Sequence, residues 1–164
     1  MRVLVIGGGA REHALCWALS RSPQCDRLWC APGNWGTGQI AENVPLKVTE
    51  LDELVRFARN KRVNLTIVGP EEPLSLGIVD RFRAVGLPVV GPTLAATQIE
   101  SSKWWAKEIM RETGVATARG ARFMASDAAI EYLSRVTYPT VIKADGLAAG
   151  KGVVVAQTPD EAMD

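Results

Sequence analysis

Short apolar runs alternate with amphipathic segments along the first part of the chain. Each run is followed at once by glycine or proline, and the four runs lie at residues 3–6, 27–31, 65–68 and 87–90. Runs of this length and character are typical of strands that are buried on both faces of a parallel sheet. Between them, apolar residues recur at helical spacing, most clearly at Leu51, Leu54 and Ala58. The alternation predicts an α/β fold, with a Rossmann-like parallel sheet whose ligands bind beyond the carboxyl ends of the strands.

The pattern changes after residue 100, so we place a first domain at residues 1–100 and a second at residues 101–164. In the second domain the sequence predicts helices over 101–113 and 127–133, the latter capped by Ser126, and strands over 119–124, 140–143 and 153–155. A last helix opens at Thr158, with proline at its first position and acidic residues in its first turn. Because the chain ends at Asp164, about one turn into that helix, we expect it to be part of a longer protein.

Composition narrows the classes of function. Nineteen basic residues against eighteen acidic ones give a net charge of +1, which argues against a nucleic-acid-binding surface and against a polybasic membrane patch. The apolar runs are far shorter than the roughly 18 residues that a membrane-spanning helix needs. Three cysteines without a Cys-x-x-Cys pair, together with a single histidine, argue against a zinc site and favour reduced thiols. We therefore expect a cytoplasmic protein.

The turn after the first predicted strand has the chemistry of a phosphate-binding loop. Gly7, Gly8 and Gly9 allow a ligand to approach the backbone, and the following helix offers free amides and a positive dipole end to an anion. The dinucleotide pattern Gly-x-Gly-x-x-Gly fails, because Glu12 holds its third glycine position and a carboxylate there would repel a pyrophosphate. The sequence thus disfavours a nicotinamide-dependent oxidoreductase, and a tight turn without any ligand stays open as the alternative.

Two further loops should meet this turn at one edge of the sheet. Asn34 follows the second predicted strand in Ala-Pro-Gly-Asn, and Glu71 follows the third in Gly-Pro-Glu. The carboxyl ends of parallel strands lie along the same edge, so the three loops converge. Glycine amides together with Arg11, Asn34 and Glu71 suit a phosphorylated sugar that carries an amine.

The segment from Lys143 to Gly152 is the strongest local signal in the second domain. Three glycines and Lys151 lie between two predicted strands, which favours a flexible loop that folds over a triphosphate, and Lys143 fixes a cation at the end of the first strand. The loop is not of the Walker type, because Lys151 is followed by glycine rather than serine or threonine, and by a strand rather than a helix. A glycine hairpin without a ligand is the alternative.

Together, these motifs resemble those of the phosphoribosylamine–glycine ligases, which are ATP-grasp enzymes of purine synthesis, along the whole chain. The segments that carry the resemblance are residues 3–7, 11–15, 31–37, 69–74, 91–93, 102–103 and 143–152. The resemblance implies that the residues near phosphoribosylamine are Gly9, Arg11, Asn34 and Glu71. It implies that ATP phosphates contact Lys103 and Lys143, and that the loop covering them contains Gly146, Gly150, Lys151 and Gly152.

The resemblance also implies a reaction. Glycine and 5-phosphoribosylamine would be joined with ATP and Mg²⁺ (or Mn²⁺) to give glycinamide ribonucleotide, ADP and phosphate, through a glycyl phosphate. The metal ligands of such an enzyme would lie beyond Asp164, so we expect the 164-residue chain alone to be inactive. We expect small-molecule substrates and no nucleic-acid or membrane partner. The sequence leaves the oligomeric state open and favours a monomer. Two alternatives stay open: another ATP-grasp ligase or carboxylase, and a non-catalytic module that binds a phosphorylated sugar.

Overall fold

A parallel sheet organises the first part of the chain in the computed structural model, which describes residues 1–148 and 151–163. Its strands are β1 (Arg2–Gly7), β2 (Arg27–Pro32), β3 (Glu42–Asn43), β4 (Leu65–Val68) and β5 (Val89–Val90). They are arranged in the order β3-β2-β1-β4-β5. Because β1 pairs with β2 on one side and with β4 on the other, the chain winds outward from it in both directions. The predicted doubly wound α/β fold is confirmed, although the strand predicted over 87–90 is reduced to its last two residues.

Helices cover both faces of this sheet. The helices of residues 1–101 are α1 (Ala10–Ser20), α2 (Leu51–Asn60), α3 (Glu71–Ser75), α4 (Ile78–Ala84) and α5 (Leu94–Ser101), with one 3-10 turn at Thr37–Gln39. Alternate side chains of β1 point to opposite faces: Leu4 and Ile6 pack with Phe82 of α4, whereas Val5 packs with Cys16 of α1. Burial on both faces is the reason that the central strand is an unbroken apolar run in the sequence.

The chain divides into two compact units, Met1–Gln98 and Ile99–Asp164, called here the first and the second unit. The second unit contains α6 (Lys103–Glu112), α7 (Ser126–Leu133), β6 (Thr140–Lys143), β7 (Val153–Ala156) and α8 (Pro159–Met163). The two strands pair antiparallel as a hairpin, with Lys143 opposite Val153. Among its described residues, the only apolar side chains that are buried are those of Ala106 and Ala156.

Two predictions for the second unit are wrong. Residues 119–124 are irregular backbone rather than a strand, because the two strands described in this unit pair with each other and no strand runs beside the segment. Side chains make its contacts instead: the ring of Phe123 lies 5.0 Å from that of Tyr132, and the Arg122 guanidinium lies 3.7 Å from the Asp145 carboxylate. Ser126 is the first residue of α7 and does not cap it, because the extended residue Ala125 takes the cap position.

The three cysteines all lie in the first unit and are free. Cys16 and Cys30 are buried in the core between α1 and the sheet, and Cys25 packs at its margin. Their contribution is therefore apolar packing.

Within the described ranges, no helix combines the length and the apolar character that crossing a bilayer requires.

Candidate functional site

Glu12, in the first turn of α1, holds the turn that follows β1. Gly7 has a φ of 129°, a conformation that favours glycine, and Gly9 is the N-cap residue of the helix. The backbone N–H of Gly9 donates to Glu12 Oε2 at 2.6 Å, and only 4% of Glu12 is exposed. One of the amides that a phosphate-binding turn would offer to its ligand is thus bonded to a side chain of the protein itself.

The loop after β2 contacts the same turn through Asn34. Its side-chain amide donates to the carbonyl oxygen of Gly8 at 3.0 Å and to that of Gly9 at 3.4 Å. Thr37, which is fully buried, fixes Asn34 in turn: the Asn34 N–H donates to Thr37 Oγ1 at 2.7 Å, and the Thr37 N–H donates to Asn34 Oδ1 at 2.9 Å. These reciprocal bonds orient the Asn34 side chain toward the glycine turn.

The loop after β4 joins the other two through Arg11. The Arg11 guanidinium donates to the carbonyl oxygen of Gly69, and the Glu12 side chain fills the space in which a side chain at Gly69 would lie. Glu71 opens α3 two residues later and is half-buried. Three loops from three neighbouring strands are therefore bonded into one rim at the carboxyl edge of the sheet.

In the second unit, Asp145 ties the base of the hairpin loop to the start of α6. Its Oδ1 accepts from the backbone N–H of Lys103 at 2.7 Å and from that of Trp104 at 3.3 Å, while Oδ2 accepts from the Ser102 hydroxyl at 3.1 Å. Burial raises the pKa of Asp145, but these hydrogen bonds and the charge of Arg122 outweigh it and hold the pKa below the ordinary aspartate value. Asp145 is thus an ionised cap at the positive end of α6.

The three lysines predicted to bind phosphate differ in how they are held. Lys103 Nζ donates to the carbonyl oxygen of Gly146 at 2.6 Å, so this ammonium is already fixed at the loop. Lys143 ends β6 with an exposed side chain, and Lys151 is exposed where its backbone N–H donates to Ala148 at 2.8 Å. Of these three ammonium groups, that of Lys103 is hydrogen-bonded and the other two belong to exposed residues.

The glycines of the hairpin serve different purposes. Gly146 has a φ of 113° and open space around it, so the loop requires glycine there for its backbone conformation. Gly152 is crowded, because a Cβ added to it would lie 2.7 Å from that of Ala148 and 3.1 Å from that of Ala144. Gly150, which the sequence also placed in this loop, lies outside the described residues.

Two family profiles match the chain along its length. Residues 1–100 match the phosphoribosylglycinamide synthetase N domain, and residues 101–164 match the phosphoribosylglycinamide synthetase ATP-grasp (A) domain. The chain belongs to the phosphoribosylglycinamide synthetase family. The resemblance inferred from the sequence motifs is thereby confirmed.

Individual members of the phosphoribosylglycinamide synthetase family support the assignment. The phosphoribosylamine–glycine ligase from Vibrio cholerae is 49% identical over 100% of this chain, which spans 39% of that protein. The phosphoribosylamine–glycine ligase from Xylella fastidiosa is 52% identical over 99% of this chain, which spans 38% of that protein. The solved structure of phosphoribosylamine–glycine ligase from Thermotoga maritima matches with a TM-score of 0.80 at 30% identity, covering 99% of this chain and 38% of that one. N5-carboxyaminoimidazole ribonucleotide synthetase from Thermus thermophilus shares the fold, with a TM-score of 0.75 at 22% identity over 98% of this chain and 42% of its own.

The sequence did not reveal that Glu12 and Asp145 hold loops of this phosphoribosylglycinamide synthetase chain through hydrogen bonds to backbone amides. Glu12 entered only as an argument against a dinucleotide, although a glutamate three residues after a helix N-cap is the signature of a capping box. Asp145 received no role, because its partner amide at Lys103 lies 42 residues earlier and no local pattern connects the two. The ligand contacts of the other site residues stay predictions.

Proposed function

We propose that this chain supplies the phosphoribosylamine site and part of the ATP site of an enzyme that joins glycine to 5-phosphoribosylamine, with ATP converted to ADP and phosphate. The chain spans about 39% of the ligases it matches, so the activity is proposed for the whole enzyme. The observation that carries the proposal is the rim of the first unit. There, Arg11 and Asn34 bond three strand-end loops together in a chain whose family profile is that of phosphoribosylglycinamide synthetase.

In the first unit, we assign the phosphorylated sugar to this rim. Arg11 supplies a planar cation with several donors, which suits a phosphate, and the Gly9 region allows the ligand to approach the backbone. Asn34 is oriented before any ligand arrives, and Glu71 supplies a carboxylate for the amine or a ribose hydroxyl. Little ordering entropy is then lost when the sugar binds.

In the second unit, we assign the phosphates of ATP to the hairpin and its lysines. Lys103, Lys143 and Lys151 supply ammonium groups, and the glycine backbone around Gly146 leaves space for phosphate oxygens to approach. This donor set fits a polyphosphate. Among residues 1–148 and 151–163, no group of acidic, histidine or cysteine side chains is arranged to hold a metal ion. Mg²⁺ would neutralise phosphate charge in the whole enzyme.

The proposed reaction has two steps. The glycine carboxylate takes the γ-phosphoryl group of ATP to give glycyl phosphate and ADP. The amine of phosphoribosylamine then attacks the glycyl carbonyl carbon, and inorganic phosphate leaves. The residues described here would contribute by positioning both substrates and by neutralising phosphate charge, which are large terms in phosphoryl transfer.

A chimeric enzyme tests the proposal. The chain replaces the matching N-terminal part of the Vibrio cholerae ligase, to which it is 49% identical. We expect ADP formation that depends on both glycine and phosphoribosylamine, and growth without purines in a bacterium that lacks its own ligase. A folded chimera that forms no ADP, or that accepts bicarbonate in place of glycine, would contradict the proposal and favour another ATP-grasp chemistry. Fusion of an unrelated Rossmann-like domain to the same C-terminal part is the negative control.

A further inference from the structure

Glu12 occupies the crevice in which doubly wound sheets bind their ligands. The strand order changes direction between β1 and β4, and ligands of such sheets bind outside the strand ends at this switch point. The Glu12 side chain lies there, against the loop after β1 and the loop after β4: a Cβ added to Gly7 would lie 2.6 Å from Glu12 Cδ, and one added to Gly69 would overlap Oε1. The carboxylate of Glu12, a group of the protein itself, thus occupies the crevice.

The same carboxylate accepts a hydrogen bond from a backbone amide of the turn after β1, so that amide is not free for a ligand. Glu12 Oε2 accepts from the Gly9 N–H at 2.6 Å, and only 4% of the residue is exposed. In a dinucleotide-binding turn, the amides and the helix N-terminus at this point hold a pyrophosphate. Here the first turn of α1 carries its own anion, and the Arg11 guanidinium donates to the Gly69 carbonyl in the loop after β4.

We propose that Glu12 is a specificity-determining residue, which keeps diphosphates out of the switch-point crevice and restricts the rim to sugars with a single phosphate. A second phosphate would have to displace the carboxylate from Gly9 or lie against its charge, and both are unfavourable. The monophosphate is held further out by Arg11, whose guanidinium has further N–H donors besides the one bonded to the Gly69 carbonyl. The part of the inference that concerns monophosphate preference rests on the proposed function.

Glu12→Gln tests the inference, because the glutamine oxygen still accepts from Gly9 while the charge is lost. Binding of inorganic pyrophosphate, ADP-ribose and ribose 5-phosphate to the 164-residue chain is measured by calorimetry at low ionic strength. For E12Q we expect the affinity for pyrophosphate and ADP-ribose to rise about tenfold, with a smaller change for ribose 5-phosphate, as removal of an adjacent like charge requires. The matched control is Glu53→Gln, which removes one exposed carboxylate from α2.

A measurement on the unaltered protein adds a result that does not depend on whether E12Q folds. Titration with pyrophosphate, followed by amide chemical shifts, should leave the signals of Gly7, Gly8 and Gly9 unmoved in wild type and move them in E12Q. Movement of these signals in wild type, or equal diphosphate affinities of E12Q and wild type, would overturn the inference. Failure of wild type to bind ribose 5-phosphate would instead count against the proposed function. A gain of pyrophosphate binding by E12Q would still support the exclusion of diphosphates by Glu12.

Discussion

Backbone amides bonded to carboxylates hold both glycine-rich loops of this protein at their bases. Glu12 accepts from Gly9 in the first unit, and Asp145 accepts from Lys103 and Trp104 in the second. Hydrogen bonds to charged groups typically contribute about 1.5–3 kcal/mol, roughly twice the value of neutral ones. At the scale of single residues, loop geometry therefore depends on a few acceptors rather than on the glycines alone.

Arg11 is the residue whose removal should affect ligand binding most directly. We expect Arg11→Ala to weaken binding of ribose 5-phosphate by about 1.5–3 kcal/mol, because a hydrogen bond to a charged group is lost. Calorimetry on the 164-residue chain measures the change. Arg21→Ala is the control, since Arg21 lies just after the same helix and stacks on the exposed ring of Trp17. Equal losses in the two variants would mean that net charge rather than the rim determines affinity.

Asp145 should make the second unit sensitive to acid. Its pKa in the folded protein lies below the value of 3.8 expected for the unfolded chain, so its stabilising effect is complete above that value. The effect is lost as the pH falls through the folded-state pKa, and the amide signals of Lys103 and Trp104 should titrate together there. At neutral pH we expect Asp145→Ala to lower the free energy of unfolding by about 0.5–2 kcal/mol, the usual range for loss of a helix cap, and Asp145→Asn to lower it less.

Asp127→Asn supplies the comparison for Asp145, because it removes an exposed aspartate from the first turn of α7. Chemical denaturation at several pH values measures all three variants. A pH dependence of stability that survives unchanged in Asp145→Asn would show that a different group controls the acid response.

At the scale of elements, the turn after β2 depends on one glycine. Gly33 has a φ of 72°, and an added Cβ would lie 2.7 Å from Thr37 Oγ1 and overlap Asn43 Oδ1. These side chains fix Asn34, since Asn43 Nδ2 donates to the Asn34 carbonyl at 2.7 Å. The position of the loop after β2 at the rim thus depends on the backbone conformation of Gly33.

Substitution of Gly33 separates backbone strain from crowding when it is compared with Gly86. Gly86 has almost the same φ, 71°, but nothing lies within 4 Å of an added Cβ. We expect Gly86→Ala to lower the free energy of unfolding by about 1–2 kcal/mol, because a residue with a Cβ is strained in a left-handed conformation. Gly33→Ala should cost about 1–3 kcal/mol more, because crowded side chains must also move. Urea unfolding measures the free energy of unfolding of both variants. Identical decreases would show that the side chains around Gly33 can move without a loss of stability.

At the scale of the whole molecule, the two units differ in how much apolar surface they bury. Leu4, Ile6, Leu54 and Phe82 are completely buried in the first unit, whereas valines on both strands of the second unit's hairpin are about half exposed. A two-stranded hairpin is at best marginally stable in water unless something packs on it. The first unit should therefore be the more stable part of the 164-residue chain.

Hydrogen exchange should show this difference directly. We expect the amides of β1 to exchange at least about a hundredfold more slowly than those of β6 and β7, because local opening is easiest where few apolar contacts are buried. The comparison is made on one sample, with rates corrected for the intrinsic exchange of each residue. Comparable protection in the two sheets would mean that the second unit is stabilised by more than its own described contacts.

Local sequence patterns were enough to predict the main strands and helices of the first unit. The apolar run at 3–6 identified the central strand, because a strand covered on both faces has no polar side in its sequence. Leu51, Leu54 and Ala58 identified α2 through their spacing, and strand ends rich in glycine and proline located the three loops. The family resemblance followed from the same motifs, since each is local and keeps its residues close together in the chain.

The contacts that hold those loops, and the places where local patterns mislead, are visible only in the folded protein. Short elements such as β3 and α3 carry too few residues for a periodic pattern, and residues 119–124, predicted as a strand, have no neighbouring strand among the described residues. The bond from Arg11 to Gly69 spans 58 residues, and that from Asn34 to Gly8 spans 26. Contacts of that range depend on the packing of the whole sheet, so no spacing along the chain encodes them.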